Sequence, residues 1–141
     1  MIQLSAVSIA FQARGTLGRM SASQWISVGA LWAAIGVALG AFGAHGLEGK
    51  VDARALQWWG TGVQYHLWHA LGVIAVGLFA SARNVPAWPA ALLLGGSAIF
   101  SGTLYAMTLG GPRMLGMVTP MGGLLMIAGW TALAWVAWRG R

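Results

Sequence analysis

"ALQWWGTGVQYHLWHALGVIAVGLFASA", residues 55–82, contains no Asp, Glu, Lys or Arg. Wound as a helix at 1.5 Å per residue, this run is long enough to cross hydrocarbon about 30 Å thick, for which about 20 residues suffice. Three more stretches of this kind flank it, at 20–47, 84–112 and 114–138. The few charges sit between them, at Glu48, Lys50, Asp52, Arg54, Arg83 and Arg113, and at the two ends of the chain. Only 7% of the residues are charged and 58% are hydrophobic, whereas soluble domains carry about 25% charged residues. Helices of a soluble core need polar outer faces, and these stretches have none to offer. The expected fold is all-α: a polytopic membrane protein with four transmembrane helices in a compact bundle, spanning about 25–44, 62–82, 89–109 and 120–138.

The net charge of +6 suits headgroup contact and membrane orientation, since basic residues gather at helix ends there. No basic run suggests a nucleic-acid groove, so the expected partner is the lipid bilayer, joined by further copies of the chain or a larger membrane complex. The absence of cysteine removes disulfides and thiolate chemistry. Residues 1–19 lack the basic start and cleavage pattern of a signal peptide. They read as a non-native or disordered extension ahead of a membrane domain at 20–141, with both Met1 and Met20 standing as candidate starts. Four spans put both termini on one side. Arg14, Arg19, Arg83, Arg139 and Arg141 then oppose Lys50, Arg54 and Arg113, which favours cytoplasmic termini; counted from Met20 the two sides are equal.

In the first span, Gly29, Ala33, Gly36, Gly40 and Gly43 recur at spacings of four and three. Helices in lipid associate through close packing, so such a stripe reads as a helix-contact face. In the loop that follows, Asp52 is suited to cap the second helix, with Trp58 and Trp59 at headgroup depth. Pro89 suits the first turn of the third span, and Thr119 with Pro120 suit an N-cap and first residue of the fourth. Residues 114–118 then form an interfacial or re-entrant piece, or an extra turn kinked at the proline.

His66 and His69, three apart, are expected to share one helix face. Counted from a span start near Gly62, they lie in its first two turns with Gln64 and Tyr65, on the side of the membrane where His45 ends span one. Ser97, Ser101, Tyr105 and Thr108 form one face of span three, and Thr119 falls on the same side. The candidate polar site is therefore His45, Gln64, Tyr65, His66, His69, Ser101, Tyr105 and Thr119, gathered in the outer half of the bilayer. Polar groups at such depth face the bundle interior or a wet cavity. A hydrogen-bonded packing layer and a shallow ligand site are both consistent with that placement.

The segments "GAFGAHGL" (40–47), "VQYHLWHAL" (63–71), "FSGTLYAMTL" (100–109) and "VTPMGG" (118–123) resemble the DUF423 family of small membrane proteins. The resemblance covers about 25–138 in the same order. It implies four transmembrane helices in the bacterial inner membrane and no established biochemical activity. It also implies that His45 and His69 are the histidines to carry over, with Gln64, Tyr65, Ser101, Tyr105, Thr119 and Pro120, because the family pattern commonly has glutamine or another residue at the position of His66.

Catalytic chemistry has little to work with. Glu48 and Asp52, the only carboxylates, lie in an exposed loop beside Lys50 and Arg54, and a general acid needs a setting that shifts its pKa. Ser101 lacks a base and an orienting partner. A zinc site would need His45, His66, His69 and a loop carboxylate in tetrahedral reach, at spacings unlike a dedicated motif. No catalytic residue, metal or cofactor is expected. The leading expectation is a non-enzymatic helix-packing or complex-supporting module, with His69 as a polar anchor and His66 its lesser neighbour. The alternative is a component that binds or transports a small ligand (lipid, quinone or haem) through the polar cluster.

Overall fold

A computed structural model describes residues 20–139; the N-terminal extension read from the sequence lies outside them. Helix α1 spans Ala22–Gly46, α2 Ala53–Arg83, α3 Pro89–Thr108 and α4 Thr119–Arg139, with a short 3-10 helix at Arg113–Met117. The described residues include no strand, and all four helical segments are long and apolar enough to cross a membrane.

The helix ends follow from local chemistry. Ser21 opens α1 through a reciprocal cap: its hydroxyl accepts from the Gln24 N–H, and the Gln24 side chain accepts from the Ser21 N–H at 2.7 Å. The Asp52 carboxylate accepts the Ala55 N–H at 2.8 Å and starts α2 at Ala53, well before Gly62. This satisfies a backbone donor otherwise orphaned at a helix start. Asn84, with φ of 52°, ends α2 in the left-handed region, where asparagine is better tolerated than other non-glycine residues. Pro89 occupies the first turn of α3. Residues 114–118 resolve into the 3-10 turn and its exit. Thr119 is not the expected cap: its hydroxyl bonds the Leu115 carbonyl and meets Thr103 of α3.

Consecutive helices pack closely, and glycine sets how closely. A Cβ at Gly29 would stand 2.7 Å from Ile74 Cγ1 and 3.0 Å from the Ala70 carbonyl, and one at Gly43 would stand 2.5 Å from the Trp59 indole. The small-residue face of α1 is therefore filled by α2. The α3–α4 pair is tighter still, since a Cβ at Gly122 would fall 2.5 Å from the Phe100 backbone nitrogen. Trp25, Val73, Val76, Ala90 and Leu93 form an apolar core in the half of the bundle nearer the 84–88 loop. Large side chains such as Leu31, Val37, Leu124, Ile127 and Trp135 face outward, as lipid or a partner requires.

Candidate functional site: a polar layer around two histidines

The remaining half of the bundle is held by side chains that reach across helices, and His66 is its centre. Its ring is only 1% exposed. Nε2 lies 2.8 Å from the Trp32 carbonyl of α1; a carbonyl only accepts, so Nε2 carries the hydrogen. In the neutral ring Nδ1 is then the acceptor, and it receives the Tyr105 hydroxyl of α3 at 3.4 Å. The Trp32 indole stacks on the imidazole, with centroids 4.0 Å apart and planes at 20°. Its N–H donates to the Ser97 hydroxyl of α3 at 3.1 Å. One histidine thus joins α1, α2 and α3.

Further bonds of this kind run toward the 46–54 loop. Ser101 donates to the Gly62 carbonyl at 2.8 Å, and Thr108 reaches the Ala55 carbonyl at 3.0 Å. The Trp59 indole donates to the Leu39 carbonyl at 2.8 Å and packs against Tyr105. Trp59 is therefore a buried strut between α1 and α3, where headgroup placement was expected. The Thr103 and Thr119 hydroxyls meet at 2.8 Å between α3 and α4. No sealed side-chain nitrogen or oxygen among the described residues lacks a partner.

His69 is also buried, at 5% exposure, yet it does something different. Its Nδ1 lies 2.7 Å from the carbonyl of Tyr65, one turn back on its own helix. Its ring is flanked by Tyr65 (centroids 5.9 Å apart) and by Trp130 of α4 (6.1 Å). His66, and not His69, is therefore the cross-helix anchor, the reverse of the ranking drawn from the sequence. Nor do the two share a face in practice: residues three apart differ by about 60° around a helix, which sends one toward α1 and the other toward α4.

Counted from Ala53, His66 and His69 lie about 20 and 24 Å along α2, near the middle of that 31-residue helix. His45 and Gln64 are exposed and make no side-chain hydrogen bond among the described residues, so they stand outside the layer. Tyr65 packs on Phe100 at 4.5 Å. Trp32, Trp59, Ser97, Thr103 and Thr108 join the layer without having been in the candidate set. Ser97 and Thr108 were legible in the stripe on span three; Trp32, the one indole in the interior of a helix of small residues whose other indole, Trp25, lies near its start, was the signal passed over.

No group of three His, Asp or Glu side chains among the described residues could hold a metal ion. Two clefts lie away from the histidines. One, of about 500 Å³, is at the 84–88 loop. The other, of about 430 Å³, is between α1 and α2 above Gly40 and Gly60, with Glu48 in its lining.

Comparison with known proteins places this architecture. No solved structure matches the chain. A UPF0382 membrane protein of Staphylococcus haemolyticus is 44% identical over 110 residues, covering 77% of this chain and 90% of its own length. The UPF0382 membrane protein YwdK of Bacillus subtilis is 43% identical, over 75% of this chain and 89% of its own. One from the fission yeast Schizosaccharomyces pombe is 39% identical, over 76% and 95%. Residues 39–123, which carry most of the polar layer, match the family described as "Protein of unknown function (DUF423)". The chain belongs to the DUF423 family of membrane proteins.

Proposed function

We propose that the protein is a non-enzymatic membrane module that supports a larger assembly, either of its own copies or with another integral membrane protein. The observation that carries this reading is the use to which the buried polar groups are put. Trp32, Trp59, His66, Ser101, Tyr105 and Thr108 bond to neighbouring helices, so they hold the bundle's shape. Both carboxylates lie in the 46–54 loop, one of them capping α2, which leaves no carboxylate inside the bundle to pair with a histidine for acid–base work. Broad apolar faces remain on α1 and α4. The membrane is taken to be the bacterial inner membrane, with both termini in the cytoplasm, on the bacterial relatives and the five-to-three excess of Arg and Lys on the terminal side.

A photo-crosslinking side chain placed at Leu31 on α1 or Ile127 on α4, activated in native membranes, tests this. The expected result is a discrete adduct of reproducible mass at one face and not the other, matching either a second copy or one other membrane protein. Adducts with lipid alone at both faces overturn the reading.

A further inference from the structure

His69 Nδ1 must donate, because the Tyr65 carbonyl it meets can only accept. The neutral ring therefore presents a lone pair at Nε2. That nitrogen has no hydrogen-bond partner among the described residues, although the side chain is 95% removed from solvent. It is not sealed either, since no enclosed side-chain nitrogen is left without a partner. So an acceptor with a fixed tautomer stands near the middle of α2, incompletely enclosed, with the rings of Tyr65 and Trp130 beside it. An unsatisfied acceptor at that depth is costly, because hydrocarbon supplies no donor.

We infer that His69 Nε2 is the docking point for the hydroxyl of a membrane-soluble ring of the quinol class, which enters from the bilayer between α2 and α4. The site lies outside the packing layer and adds a ligand to the module proposed above without depending on that role. A water is poorly held there: buried waters take about two to four polar partners, and the immediate walls are aromatic. A flat ring carrying a hydroxyl on its edge passes between such side chains and stacks on them. The Tyr65 hydroxyl, on the same helix face and without a hydrogen bond among the described residues, offers a donor to a second oxygen on that ring.

The test uses the full chain, labelled with 15N-histidine, in phosphatidylcholine nanodiscs under argon. It is titrated with decylubiquinol and, separately, with the dimethyl ether of decylubiquinol, which has the same ring and no donor. The His69 resonances are assigned by His69→Phe or, if that variant does not fold, by elimination with His45→Asn and His66→Gln. The expected result is a saturable upfield movement of the His69 Nε2 signal with the quinol alone, while His66 stays still. Tyr65→Phe should raise the half-saturation concentration about fivefold, the worth of one ordinary hydrogen bond. Equal response to both compounds, response to neither, or His66 moving in step with His69 each overturns the proposal.

Discussion

His66 and His69 are the same residue type, one turn apart on one helix, both neutral-ring donors to a backbone carbonyl, and they do different work. His66 gives its hydrogen to another helix and takes one from a third, with an indole laid over its face. His69 gives its hydrogen to its own helix and leaves the far nitrogen unclaimed. The first is a fastener, and its ligand-binding capacity is used up by the bundle. The second costs the fold little to rearrange and keeps a chemical function in reserve. What separates them is the rotation of about 60° between positions three apart, combined with which helix happens to lie in each direction.

The sharpest way to break that contrast is to push α1 away from the His66 side. Gly36→Val would place its Cβ about where Leu67 Cδ2 stands 2.7 Å off and His66 Cδ2 3.0 Å off. The end of Leu67 can turn aside, but the imidazole is held by the Trp32 carbonyl and indole, so the strain falls on the α1–α2 contact. Overpacking of this kind costs about 3 kcal/mol, read as loss of stability in bicelles by steric trapping, and the ring signals of His66 should move while those of His69 do not. His66→Ala comes next, at about 2 kcal/mol, from the lost stacking and an orphaned Tyr105 hydroxyl. His66→Gln divides that figure. It keeps an amide donor for the Trp32 carbonyl but loses the stacked ring, so recovery of less than half the loss would assign most of it to packing. That share is expected, because hydrogen bonds between helices in membranes average only about 0.6 kcal/mol.

Much of this molecule is legible in its sequence for definable reasons. Hydrocarbon excludes charge, so the gaps between Arg, Lys, Glu and Asp mark the helices. Lipid gives helices no hydrophobic reason to associate, so the glycine stripe of α1 marks its contact with α2. Asp52 declares a cap, yet the turns between Asp52 and Gly62 are helical too, so both histidines stand near the middle of α2 rather than in its first two turns. The ranking of the two histidines was not legible. It depends on helix rotation and on Trp32, whose backbone carbonyl is the partner that matters, and a carbonyl leaves no mark in a sequence. The Thr103–Thr119 contact was hidden in a similar way, since the hydroxyl suited to capping α4 turns instead to α3.

On the other side of the comparison the expected effects are smaller. His69→Ala should cost about 1 kcal/mol, because the bond it loses lies within one helix and the Tyr65 carbonyl stays in the helical ladder; what goes is packing under Trp130. A loss as large as that of His66→Ala would mean that both histidines fasten the bundle.

Tyr105→Phe is the mildest and most discriminating change. Its hydroxyl reaches His66 Nδ1 at 3.4 Å, at the long limit for a hydrogen bond, while its ring packs on Trp59 with centroids 4.5 Å apart and lies over Gly62. Phenylalanine retains the ring and drops only the hydroxyl, so the expected loss is about 0.5 kcal/mol. Combined with His66→Ala it should add almost nothing further, because the hydroxyl has then already lost its acceptor. Full additivity in that double-mutant cycle would mean that the Tyr105 hydroxyl acts on something other than His66. The three-helix fastening would then reduce to the bond and stacking between Trp32 and His66, with Ser97 as its one link to α3.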